Sequence, residues 1–111
     1  MSGRSDEHRL GDMLMAAEEI AEIVRRGRPA FDEDPMLRRA LERCLEILGE
    51  AAKSVSPSLR ADHPEVPWSD LAKIRDRLSH HYHRIDSAQL WVIAEDDVPT
   101  AASSVRRIRP N

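Results

Sequence analysis

Cysteine occurs once in the 111 residues, at Cys44, so no intrachain disulfide can form and the fold must be held by packing. That usage fits a reducing compartment. Glycine is scarce, with four residues, and no long run alternates apolar with polar positions. Both features disfavour sheet and favour helices. No apolar stretch approaches the length needed to cross a bilayer, so no membrane association is expected. The first ten residues are polar, carrying Arg4, Asp6, Glu7, His8 and Arg9, and no apolar run follows that would serve as the core of a signal peptide. The sequence therefore predicts a cytoplasmic protein. There is no internal repeat and no low-complexity stretch. An overall positive charge is also missing: the net charge is −3, which argues against a non-specific binder of nucleic acid.

What is present reads as helix. A chain of this length suits one domain, over residues 1–111, with a modest core. A first helix is expected from Asp6 to Arg26, with Ser5 as its N-cap and Asp6 and Glu7 in the first turn. Leu10, Met13, Leu14, Ala17, Ile20, Ala21 and Val24 share one face of it. Gly27 suits its C-terminal cap, and Pro29 stops it. A second helix starts with Asp34 as cap and Pro35 at the first position, and ends near Lys53. Leu37, Leu41, Cys44, Leu45, Leu48, Ala51 and Ala52 form its apolar face. Gly49 inside it costs about 1 kcal/mol relative to alanine, which points to a close helix contact. A connector with Pro57, Pro64 and Pro67 holds a helical turn at Pro57 to Arg60. A third helix runs from Pro67 to His81 or beyond, with Leu71, Ile74 and Leu78 as its ridge. Asp86 and Gln89 have capping-box spacing and open a fourth helix through Ala94. Pro99 allows a kink or a new start, and Val98 to Ile108 form a last short helix. The fold class is all-α: an up-and-down four-helix bundle with a short additional C-terminal helix.

Charge is unevenly spread. Lys73, Arg75, Arg77 and Arg84 stand against one acid, Asp76, within a segment that also holds His80, His81 and His83. An arginine fork suits the non-bridging oxygens of a phosphate. A histidine near its neutral point takes or gives a proton. Together they could cleave RNA without a metal: the histidine deprotonates the ribose 2′-hydroxyl, and the arginine stabilises charge at phosphorus. On a helix Arg75 and His80 lie about 140° apart, so one helix makes a poor site and two copies facing each other would make a better one. Asp76 and His80, four apart, share a face, where the carboxylate would orient the imidazole. The bland alternative is a solvated helix face. His80 and His83 also share a face, but no cysteine or paired carboxylate completes a metal shell, so no metal and no cofactor is expected. His8 and His63 read as surface residues. Trp68 and Trp91 read as core or interface anchors, and Cys44 as a buried thiol. Glu50 could be a second polar contributor, but a surface position or a helix–helix contact is the plainer reading.

These residues resemble a known family, the HepT-like toxins of the HEPN superfamily. The resemblance runs from about Leu10 to Ile108. It rests on Gly49-Glu50-Ala51-Ala52-Lys53, Pro64-Glu65-Val66-Pro67-Trp68, Arg75-Asp76-x-Leu78-x-His80-x-Tyr82, Ile85-Asp86 and Leu90-Trp91, in that order and spacing. It implies a helical homodimer with the Arg-x4-His motif at the dimer cleft, and Arg75 and His80 as the catalytic pair. It implies an RNA-cleaving toxin paired with a small nucleotidyltransferase antitoxin, which transfers AMP to the tyrosine of the motif. That tyrosine is Tyr82, the one tyrosine in the chain. Many of these toxins carry asparagine after the motif arginine; here the residue is Asp76. A non-catalytic helical module that binds the nucleotidyltransferase, and RNA with it, is the alternative function.

Overall fold

Leu10, Met13, Ala17 and Ile20 recur at helical spacing, and in the computed structural model they form the buried face of α1, Ser2–Arg25. The structure describes residues 2–80 and 85–108. The helix starts earlier than expected, so Ser5 is not its N-cap. Asp6 therefore lies in the second turn, buried at 5 % exposure, and works across the fold. Its carboxylate accepts from the Ser56 amide at 2.8 Å and the Ser56 hydroxyl at 2.6 Å. Gly27 closes α1 with φ at +88°, a conformation in which a side chain is strained.

Pro29 ends one helix and helps start the next. The six-residue α2, Arg28–Glu33, carries a single apolar anchor, Phe31, whose ring lies 5.3 Å from that of Trp91. Asp34 caps α3, Pro35–Ser54, by accepting from the Met36 amide at 2.9 Å. Ser56 caps α4, Pro57–Asp62, and α5, Trp68–Ser79, follows after Pro67. Asp86 opens α6, Ser87–Val92, by accepting from the Gln89 amide at 2.8 Å. A π-helical turn, Ile93–Asp97, then leads into α7, Val98–Ile108, with helical backbone throughout. Pro99 accounts for the turn: it has no N–H for the Glu95 carbonyl and its ring would press on it. Widening one turn lets the helix continue. The expected fourth helix and short C-terminal helix are thus one run, and the bundle's four long members are α1, α3, α5 and the run ending in α7. The described residues contain no strand, and none of their helices is long and apolar enough to cross a membrane.

The helix α3 lies between α1 and α5, and α7 covers another side of α1. Asp6, near the start of α1, meets Ser56, just past the end of α3, so these two helices run antiparallel, and Gly49 and Lys53 meet Arg75 and Asp76 across the α3–α5 seam. The molecule is 20 Å thick in its shortest direction, about two helix diameters. Leu41, Leu45, Leu48 and Ala52 fill its centre. Cys44 is buried among them, and that burial pushes its thiol pKa up, keeping it protonated and unreactive. In α5 only Trp68 and Leu71 are fully buried, so this helix rests at the edge of the bundle.

Candidate active site

The site begins with a missing side chain. A Cβ on Gly49 would stand 2.4 Å from the Arg75 Cβ and 2.6 Å from the Leu71 carbonyl oxygen. Glycine there lets α5 lie directly against α3, as its unfavourable place inside a helix suggests. The close approach seats the backbone of Arg75 on α3 and puts its side chain beside the next residue. Glu50 Oε2 lies 2.9 Å from Arg75 Nε. Arg75 Nη1 donates to Asp76 Oδ1 at 3.3 Å, and Lys53 Nζ lies 3.8 Å from the same oxygen. Two cations and two carboxylates thus alternate across the α3–α5 seam. Glu50 is the helix–helix contact foreseen for it, and it also sets the direction of the guanidinium.

The end of α5 is set locally. The Ser79 hydroxyl donates to the Arg75 carbonyl at 3.1 Å, drawing on an acceptor of the last turn. The helix stops at Ser79 rather than continuing past His81. His80 is its C-cap, with extended backbone at φ −104° and ψ 107°, and its side chain is exposed. The helical backbone therefore ends at the motif histidine. Tyr82, with His81, His83 and Arg84, lies outside the described residues. Where the described chain resumes, Arg38 of α3 donates to the Ile85 carbonyl and to the Ser87 hydroxyl, and Ile85 is buried at 1 % exposure.

Beside Arg75 a groove of about 320 Å³ opens between α1, α3 and α5. Arg9 and Asp12 line it from α1, Arg43, Glu46 and Glu50 from α3, and Arg75 from α5. Sequence reasoning missed the first four. The signal was the spacing of Arg43, Glu46 and Glu50, a charged stripe running along α3 to Gly49. A charged face at that spacing reads equally well as plain solvent exposure. The arrangement offers a fixed guanidinium at the groove wall, acceptors around it, and a histidine where the same helix ends. That set can bind a phosphodiester and move a proton beside it.

Comparison with known proteins gives a consistent result. The family described as ribonuclease HepT-like matches residues 13–108. A protein of Thermococcus cleftensis named probable ribonuclease HepT is 34 % identical over 109 residues, covering 96 % of this chain and 97 % of its own length. A protein of Methanocaldococcus jannaschii named as a candidate RNase is 35 % identical over 106 residues, covering 95 % of this chain and 97 % of its own. Another so named, from Caldanaerobacter subterraneus, is 37 % identical over 78 residues, 70 % of each chain. No solved structure matches this chain.

Proposed function

This chain belongs to the ribonuclease HepT-like family and is an RNA-cleaving enzyme, and from that premise we propose that Arg75 and His80 are the catalytic pair of a metal-independent endoribonuclease. His80 takes the proton of a ribose 2′-hydroxyl, and the 2′-oxygen attacks the neighbouring phosphorus. Arg75 holds the non-bridging oxygens as negative charge gathers on them. The bond to the 5′-oxygen breaks and that oxygen leaves carrying a proton, so the products are a 2′,3′-cyclic phosphate and a 5′-hydroxyl end. The observation that carries this reading is the seating of Arg75: Gly49 admits its backbone against α3 and Glu50 fixes its Nε at 2.9 Å, which orients the guanidinium before substrate arrives. A homodimer brings two such helix ends to one phosphate.

The finer reading makes the protein the toxin of a toxin–antitoxin pair. A nucleotidyltransferase partner silences it by moving AMP from ATP to the Tyr82 oxygen, with release of pyrophosphate. The added nucleotide brings bulk and negative charge two residues from His80, and both oppose the approach of an RNA phosphate.

One observation favours the alternative, a module that binds RNA or the nucleotidyltransferase without cutting. Arg75 already faces two carboxylates, Glu50 and Asp76, which lowers its pull on a phosphate. Incubation of purified protein with end-labelled RNA in excess chelator separates the readings. Cleavage by the wild type, abolished in His80→Ala and in Arg75→Ala with unchanged helical content, supports the nuclease. Equal cleavage by His80→Ala would remove His80 from the mechanism. For Tyr82, intact mass after co-expression with the partner should rise by one or more AMP units, and Tyr82→Phe should lose the gain.

A further inference from the structure

We propose that the groove beside Arg75 seats the nucleotide adjoining the scissile phosphate and selects guanine there. The proposal rests on the nuclease reading for its place in the reaction, and on the groove alone for its chemistry. Three helices each give one stripe to the groove. Arg9 and Asp12 are three apart on α1. Arg43, Glu46 and Glu50 are three and seven apart on α3, with Ile47 and Ala51 as an apolar floor between the charges. At about 320 Å³ the space is at the low end for ligand clefts, roughly 300–1,000 Å³, room for one nucleotide unit and not for a folded strand.

The charges differ in how firmly they are held. Glu50 is tied to Arg75 at 2.9 Å. Glu46 lies 3.8 Å from Arg43, and Asp12 lies 3.7 Å from His8, both beyond hydrogen-bond length. Among the described residues Arg9 has no ion-pair partner. The groove therefore presents loosely held carboxylates beside loosely held guanidinium groups. A run of phosphates would be repelled by the acids. A base that offers donors and acceptors together would satisfy both.

Guanine is the base that fits. A carboxylate only accepts, and with two oxygens it is best met by two donors side by side. Guanine presents N1–H and N2–H2 adjacent on its Watson–Crick edge, with O6 next to them for an arginine. Adenine and cytosine each place a lone pair beside their amino group, and uracil places one N–H between two carbonyls. Glu46 takes the two guanine donors, Arg43 takes O6, the base lies over Ile47 and Ala51, and Arg9 on the α1 wall holds a flanking phosphate.

The test uses fluorescein-labelled heptanucleotides whose riboses are 2′-O-methylated and so cannot be cut. Their central base is guanine, hypoxanthine, adenine or uracil. Wild-type protein should bind the guanine strand about tenfold or more tightly than the adenine and uracil strands, with hypoxanthine, which lacks the 2-amino group, between. Glu46→Gln should lose the advantage of guanine over hypoxanthine, keeping only the smaller preference for O6 that Arg43 confers. Arg9→Ala should weaken all four equally and reduce the slope of log affinity against log salt by about 0.7. Wild-type protein that binds hypoxanthine as tightly as guanine, or shows no preference, overturns the proposal without reference to any variant. So does an undiminished preference for guanine over hypoxanthine in Glu46→Gln. Because these strands cannot be cleaved, the result is separate from the nuclease reading, which fails instead if wild type leaves ordinary RNA intact.

Discussion

Gly49 and Arg75 act as one unit at the scale of single residues. Replacing Gly49 by alanine would gain about 1 kcal/mol in helix propensity. The new Cβ would meet the Arg75 Cβ at 2.4 Å and a backbone oxygen at 2.6 Å, and neither can swing away as a flexible side-chain end could. Overpacking of this kind costs about 1–3 kcal/mol, and here the helices must part to relieve it. Gly49→Ala should therefore lower stability in urea melts by up to about 2 kcal/mol net and reduce RNA cleavage with it; a more stable variant would mean the seam is looser than described. Asp76 acts in the opposite sense. Half exposed at 51 %, its ion pairs with Arg75 and Lys53 are worth at most about 1 kcal/mol each. Asp76→Asn should leave the melting curve nearly unchanged and tighten RNA binding up to about fivefold, because a negative charge beside the phosphate site is gone. A weaker RNA complex in filter binding would show that Asp76 positions Arg75 more than it competes for it. Gly49 could be read from the sequence as a contact, since a glycine inside a helix needs a reason. Its partner could not, because nothing local says that Arg75 is what crosses there.

Among the elements, the link between α5 and α6 depends on a residue from neither. Arg38, on α3, donates to the Ile85 carbonyl and the Ser87 hydroxyl and pairs with Glu42 at 3.2 Å. It holds Ile85 and Ser87 at the start of α6, as the Ser79 hydroxyl bonds back to Arg75 at the end of α5. Arg38→Met keeps the apolar stem and removes both donors. The expected loss is about 1–3 kcal/mol in chemical denaturation, from a carbonyl left short of its charged partner. Catalytic rate should fall further than stability alone explains, since Ile85 follows the Arg-x4-His motif closely in the chain. Unchanged turnover would mean that His80 acts independently of Arg38. The caps at Asp34, Asp86 and Gly27 were legible because each signal lies within three residues of its effect. Arg38 was not, because its partners are 47 and 49 residues away. The same distance problem hid the true task of Asp6, whose partner is Ser56. The helix α2 was missed because six residues with one buried side chain carry no period. The π turn was half legible: Pro99 announced a disturbance but not that the helix would absorb it.

For the whole molecule, the position of α5 matters most. It rests chiefly on α3, and its outer stripe of Ser69, Lys73, Asp76 and Arg77 is exposed, so the motif helix is open to a second copy. Arg75 is held at the α3–α5 seam, while His80 is exposed at the C-cap of the same helix. If one chain's arginine works with the other's histidine, damage to each can be complemented. Arg75→Ala and His80→Ala proteins, each inactive alone, should regain measurable RNA cleavage when refolded together, because the mixed dimer keeps one intact Arg75 and one intact His80 on opposite chains. Mixing without refolding should regain it only at the rate at which subunits exchange. Dilution of the wild type should lower activity per chain once dimers dissociate, with the loss following the light-scattering mass. If the mixture stays as inactive as its components while its mass is that of a dimer, the pair works within a single chain. The dimer would then be needed for something other than assembling the site.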